Sequence, residues 1–267
     1  MADRLLSMLA ACKRVIRHSL KQGTACWKGH AFRYARQQDA AAAAQYGHQW
    51  AEFKTPIPDR GSTQIRADRL WNLQLAAQRI DGLLLPAGAI FSFSHRVGEP
   101  SLRRGYRAGP VFTKGKVSVG VGGGLCLMAT NLFNTFLLSG CEVLERHCHS
   151  IDAYGEQRFY ALGRDAAVAY GYKDLVVRNS TAIALQLRVD VMGTTGEVAS
   201  SLWGVKPCPL QVAIESRVLQ ELAPNADNLL PGWVTETVRQ VRPVQAADAG
   251  WLVNYHGISD YAPCEHS

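Results

Sequence analysis

A chain of 267 residues with 47% hydrophobic content and a formal net charge of +7 has enough apolar material for one large core or two modest ones. That composition excludes disordered and collagen-like classes, and no run of about 18 apolar residues is available for a membrane-spanning helix. The seven cysteines are odd in number and lack the spacing of a small disulfide framework, so reduced thiols and a cytoplasmic location are the expectation.

In chain order, Leu5, Met8, Leu9, Cys12, Val15, Ile16 and Leu20 form a helical stripe, with Lys13, Arg14, Arg17, His18 and Lys21 largely off it. Charged residues within the first 20 positions interrupt the apolar stretch that a secretory signal needs. Such a basic amphipathic helix suits packing against its own domain; peripheral membrane contact through residues 5–20 is a further expectation. A second helix is predicted from about Phe32 to Phe53, through the Ala40–Ala44 run, ended by the Pro56–Gly61 segment. A third runs from about Ile65 to Ile80 and stops at Asp81-Gly82.

After Pro86 the pattern changes to strands. Ile90 to Ser94 alternates, Tyr106–Phe112 and Lys116–Val119 flank a turn at Lys114-Gly115, and Glu142–Ser150, Ala166–Tyr170 and Asp174–Arg178 follow. Ile183 to Val191 alternates most regularly, with one face buried and one wet, as an antiparallel sheet requires. Leu210–Ile214 and Val234–Val244 read as further strands, and Tyr261-Ala262-Pro263 as the start of a tail. The fold class is α+β: N-terminal helices packed on a mostly antiparallel β domain with one buried cysteine-bearing helix. The expected divisions are a helical region over 1–60, a domain over 61–205, and a β-rich extension of that domain over 206–267.

One helix interrupts the strands, and it carries the chemistry. Gly120-Val121-Gly122-Gly123-Gly124 leads to Leu125-Cys126, after which Met128, Ala129, Leu132, Phe133, Phe136 and Leu137 recur at helical spacing. Thr130, Asn131, Asn134 and Thr135 fall on the other side, and Gly140 supplies the stop. The glycines suggest a shaped pocket floor, and Cys126 falls in the first helical turn, where unpaired N–H groups and the helix dipole favour a thiolate. A nucleophilic thiol needs an imidazole oriented by a third polar group. His147 and His149 are the candidate imidazoles, projecting together with Glu145 from one face of the Glu142–Ser150 strand, opposite Leu144, Arg146 and Cys148. Asp165 and Asp152 are candidate third groups, while Arg146 and Arg164 suit an anionic substrate carboxylate. Structural roles compete throughout: a helix-borne cysteine can be packing, and Arg164 and Asp165 can pair with each other in a turn.

Cys141, His147, Cys148 and His149 are of zinc-ligand type, but adjacent Cys148 and His149 point to opposite strand faces and no C-x-x-C partner exists. The glycine run lacks P-loop and Rossmann spacing. No cofactor, resident metal or nucleic-acid partner is expected.

Several ordered segments together resemble the VanW family, which is named for an accessory protein of vancomycin-resistance clusters. They are Asn72-Leu73, Pro86–Phe93, Arg104-Gly105-Tyr106, Gly122–Cys126, Glu145-Arg146 with His149-Ser150, Gly163–Ala166, and Asp174-Leu175 with Arg178-Asn179, spanning about Arg66 to Trp203. The resemblance implies a cysteine acyltransferase of L,D-transpeptidase type acting on peptidoglycan stem peptides. By the resemblance Cys126 would be the nucleophile and His149 the matching histidine; the reading of the residues adds Asp165 as candidate orienting group, with Gly122, Gly123, Gly124, Arg146 and Arg164 at the substrate. Leu127, Ala129 and Thr130 stand where the family usually has Gln and a Ser pair. That departure suits an alternative, a non-catalytic cytosolic accessory or peptide-carboxylate-binding protein related to cell-wall or glycopeptide-resistance functions.

Overall fold

The computed structural model describes residues 16–113, 116–152, 155, 158–224, 229–246 and 248–265. The apolar stripe predicted from Leu5 therefore lies largely outside the described residues, as does the turn at Lys114-Gly115; residues 16–27 are helical (α1). The architecture is α+β with antiparallel sheets, as composition and alternation predict. The main sheet has the order β1-β9-β8-β2, formed by β1 (His48–Pro56), β9 (Glu197–Gly204), β8 (Leu185–Met192) and β2 (Leu83–Leu85).

The β1 strand corrects the helix predicted from Phe32 to Phe53. Only Ala31–Arg33 and Ala41–Gln45 form short 3-10 turns there, and residues from His48 onward pair with β9. The alanine run alone has high helix propensity, but eight paired residues along β9 fix the following segment as extended. Helix α2 (Thr63–Ile80) closely matches the predicted third helix: Ser62 accepts from the Ile65 N–H as its N-cap, and Asp81-Gly82 ends it.

A three-stranded sheet, β3-β7-β6, comprises β3 (Ile90–Ser92), β7 (Val176–Arg178) and β6 (Glu142–Glu145). Two strand readings shorten here. Phe93 and Ser94 enter a short helix, α3 (Phe93–Val97), capped by Ser92, whose hydroxyl accepts from the His95 N–H. Residues 166–170 make only an isolated bridge, Ala169 with Lys173. Strands β4 (Ala108–Thr113) and β5 (Lys116–Val121) form the predicted hairpin and lead into the glycine run.

Helix α4 (Leu125–Leu138) lies at the centre, and nearly its whole circumference is buried. Its apolar residues Met128, Leu132, Phe133 and Phe136 join Leu73, Ile80, Leu85, Phe91 and Leu187 in one core. The polar side is buried too, and its amides and hydroxyls donate to or accept from other elements, as burial of polar groups demands. Asn131 donates through Nδ2 to the Phe53 and Val198 carbonyls, and Thr135 donates to the Ser200 carbonyl, tying α4 to β1 and β9.

A third sheet, β10-β12-β13, is formed by β10 (Leu210–Leu222), β12 (Gly232–Pro243) and β13 (Leu252–Tyr261). Its link to α4 is Arg239, a fully buried side chain on β12. The guanidinium donates to the Phe136, Leu137 and Cys141 carbonyls at 3.3, 3.2 and 2.8 Å and to Asn254 Oδ1 at 2.8 Å, covering the carbonyl end of the helix.

Candidate active site: a thiol, an imidazole and a buried carboxylate

The glycine run converts the end of β5 into the start of α4. Gly122 and Gly124 take φ of +93° and +99°, and a Cβ on Gly122 would approach Pro100 Cβ to 2.7 Å. Gly124 lies equally close to α2, where a Cβ would meet Arg69 Cγ at 3.0 Å. The run is thus enclosed by Pro100, Arg69 and Leu73 rather than being the open pocket floor its composition suggests. Asn72, within the Asn72-Leu73 segment, secures it: Nδ2 donates to the Gly123 and Arg107 carbonyls, and Oδ1 accepts from the Arg107 N–H.

Cys126 follows as the second residue of α4 and is half-buried. Cys126, Thr130 and Asn134 recur every four residues and share one helix face. All three meet the same segment running the other way. The Cys126 sulfur lies 3.6 Å from the Val168 carbonyl oxygen, Thr130 Oγ1 accepts from the Ala166 N–H at 2.9 Å, and Asn134 Nδ2 donates to the Arg164 carbonyl at 2.9 Å. This polar seam sets residues 164–168 against the helix and thereby places Asp165.

Asp165 is fully buried and gathers four bonds. Oδ2 accepts from the His149 N–H at 2.7 Å and from its Nδ1 at 2.5 Å, while Oδ1 accepts from Arg146 Nη2 and the Tyr261 hydroxyl, each at 2.6 Å. Burial opposes the carboxylate charge, but His149 and Arg146 outweigh it and hold the group well below the ordinary carboxylate range. The Cys126 thiol also neighbours the His149 ring and interacts with it electrostatically. Burial disfavours a charged imidazole, yet the Asp165 and Cys126 contacts raise His149 to about 10. Burial likewise disfavours the thiolate, and the His149 contact and charge, with the Val168 backbone, bring the Cys126 thiol below its ordinary value. Both shifts favour a thiolate–imidazolium pair backed by a carboxylate.

Among the sequence candidates, then, Cys126, His149 and Asp165 come together. Arg146 joins them, but not as a group facing outward: Nε donates to the Asp165 carbonyl, Nη1 to Ser259 Oγ and Nη2 to the Gly163 carbonyl as well as to Asp165. Arg164 donates to Ser216 Oγ and the Ile214 carbonyl and does not pair with Asp165. Both guanidinium groups expected at a substrate carboxylate are bonded within the protein. His147 also departs from the predicted arrangement, pairing with Glu145 at 3.0 Å while His149 turns inward. The strand read over Glu142–Ser150 ends at Glu145, after a register irregularity between Val143 and Glu145, so two-residue alternation does not extend to the histidines. Asp152 pairs instead with Arg158 at 2.8 Å. Cys141 is buried in the core, and among the described residues no group of three or more His, Cys, Asp or Glu side chains is placed to hold a metal.

Tyr261 and Ser259 are the site residues that sequence reading missed. Tyr261 is not in a tail but ends β13, fully buried, where its hydroxyl donates to Asp165 and accepts from the Gly163 N–H at 3.0 Å. Nothing local marks it, because its partner lies nearly a hundred residues earlier. The Gly163-Arg164-Asp165 motif does mark the other end: Gly163 has φ of +87°, and a Cβ there would come within 2.6 Å of Thr237 Oγ1.

The model of the VanW-like protein family matches residues 68–203, half of the chain, and this stretch contains the glycine run, Cys126, His149 and Asp165. The chain belongs to the VanW-like family. Two relatives show the same kinship. The uncharacterized protein YoaR of Bacillus subtilis (strain 168) is 33% identical over 111 residues, covering 42% of this chain and 35% of that protein. The vancomycin B-type resistance protein VanW of Enterococcus faecalis (strain ATCC 700802 / V583) is 33% identical over 123 residues, covering 46% of this chain and 45% of that protein. The matched region is thus less than half of either relative. No solved structure matches this VanW-like chain.

Proposed function

We propose that this VanW-like protein is a cysteine acyltransferase acting on peptidoglycan-type stem peptides, with Cys126 as nucleophile, His149 as acid and base, and Asp165 as the positioning group. The observation that carries the reading is the buried Asp165 carboxylate fixing Nδ1 of His149, with the Cys126 thiol acting on the same imidazole. In the reaction, the Cys126 thiolate attacks the carbonyl carbon of a donor peptide bond and a tetrahedral oxyanion forms. In the first α4 turn the Leu125 and Leu127 N–H groups already donate to the Gly122 and Gly124 carbonyls, so the Cys126 N–H is the donor that suits that oxyanion. As the C–N bond breaks, the His149 imidazolium gives its proton to the departing amine, the terminal D-amino acid, leaving a thioester on Cys126. An acceptor amine then attacks the thioester carbonyl, passes a proton to His149 and expels the thiolate, forming the new amide. Arg146 and Tyr261 act through Asp165 and do not touch substrate.

Leu127, standing where the family usually has Gln, is buried in the core. It supplies no donor, and this observation favours the second reading, a peptide-binding accessory without turnover. Incubation with stem peptides ending in D-Ala separates the two. Acyl transfer predicts a mass adduct on Cys126 with release of D-Ala, abolished in Cys126→Ala and slowed about 100-fold or more in His149→Ala. Peptide binding that survives Cys126→Ala, with no adduct in the wild type, selects the accessory reading.

A further inference from the structure

Helix α1 is docked with its polar side inward. His18 stacks on Tyr170 with ring centroids 4.4 Å apart, Lys21 reaches Glu145 at 2.5 Å, and the Arg17 guanidinium sits 4.3 Å above the Tyr172 ring. The apolar residues Ile16, Leu20 and Trp27 recur at i, i+4 and i+11 along the opposite, exposed side, with Gly23 between them, and Trp27 is 87% exposed. Phe32, 83% exposed, lies in the 3-10 turn Ala31–Arg33 beyond the helix. A helix packed on its own domain normally buries its apolar stripe and wets its charged one, so this reversed orientation leaves an apolar face exposed among the described residues.

We infer that this face docks on an anionic lipid surface. The charge distribution selects that occupant. No acidic residue lies between Asp3 and Asp39, whereas Lys28 follows the apolar stripe and Arg33 and Arg36 flank Phe32 in the chain, beyond Arg17 and Lys21 on the docked side. Two copies meeting through this face would bring like charges together, while phosphate headgroups would neutralise them. Tryptophan suits the boundary between headgroup and acyl chain because its ring is apolar and its N–H is polar. Arg33 and Arg36 also line a groove of about 330 Å³, together with Phe32, Pro86 and Gly88, placing two guanidinium groups beside the apolar patch. The docked face touches Tyr170 and Tyr172, two and four residues after Val168 at the Cys126 sulfur, so lipid contact would hold the thiol site close to the membrane plane. The inferred contact is with the bilayer surface, and among the described residues no helix is long and apolar enough to span.

Flotation of the full chain with phosphatidylcholine vesicles, with and without phosphatidylglycerol, tests the inference. The protein is expected to float with the phosphatidylglycerol-containing vesicles at low salt and to lose most of that binding at high salt. The exposed-face variant Ile16→Ser/Leu20→Ser/Trp27→Ser should bind about tenfold or more weakly while keeping its circular dichroism spectrum. Lys28→Gln/Arg33→Gln/Arg36→Gln should lose the preference for anionic lipid. Absence of flotation with anionic vesicles, or equal flotation by the apolar-face variant, overturns the inference. A concentration-dependent dimer that the apolar-face variant abolishes, without vesicle binding, assigns the face to a second copy and overturns it as well.

Discussion

Asp165→Asn is expected to lower both stability and Cys126 reactivity. The substitution removes the charge opposite Arg146, which is itself buried, and weakens the acceptor for His149 and Tyr261. Breaking such a pair leaves an uncompensated buried cation and should cost about 3–5 kcal/mol. A shift of the urea midpoint at constant slope measures it. The effect on the thiol runs through the histidine. Asp165 by itself repels a thiolate, but it stabilises the imidazolium that attracts one, so its loss lowers His149 and raises Cys126 toward an ordinary thiol. Alkylation of Cys126 near neutral pH should slow by about tenfold or more.

The pH dependence of wild-type stability follows from the same groups. Asp165 is depressed on folding, so its contribution is fully present above the unfolded carboxylate value of about 4 and fades as pH falls below it. His149 is raised, so its contribution is complete below about 6.5 and disappears as pH rises through about 10. Asp165→Asn should therefore remove stability chiefly between these limits.

The second large effect is expected at Arg239, at the opposite end of α4. Arg239→Ala removes the donors to the Phe136, Leu137 and Cys141 carbonyls and opens a cavity where a long side chain was fully enclosed. Burial already pulls the guanidinium down to about 10, and its N–H groups are received by those carbonyls and Asn254 Oδ1. The loss should be about 3 kcal/mol or more, read from urea unfolding. Because these contacts lie at the carbonyl end of α4, Cys126 alkylation in the folded protein should remain unchanged. This contrast with Asp165→Asn separates support of the helix from support of the thiol.

Much of α4 is legible in the sequence for a physical reason: one helix meets several neighbours, and each face carries the residue types its neighbour needs. The spacing of Cys126, Thr130 and Asn134 already aligns a thiol, a hydroxyl and an amide, although only the fold shows that residues 164–168 receive all three. The alternation of β8 and the Asp81-Gly82 stop of α2 are local signals too, and the structure follows them closely. Residues 48–56 mislead because an alanine-rich stretch precedes a segment whose strand character comes from β9, some 150 positions later. His147 and His149 mislead because an irregularity and an early strand end break the two-residue period on which the face assignment rested. Tyr261 could not be read at all, since its hydroxyl matters only once β13 is folded beside Asp165.

The central claim is that His149 holds Cys126 as a thiolate. The direct test is the alkylation rate of Cys126 with limiting iodoacetamide across pH, with the label mapped by mass, in the wild type and in His149→Ala. The claim predicts that Cys126 labels before Cys141 and Cys148, with its rate already level below the ordinary thiol value of about 8.5. His149→Ala should move the inflection up into the ordinary range. Equal profiles in the two proteins, or faster labelling of Cys141 or Cys148, would contradict it.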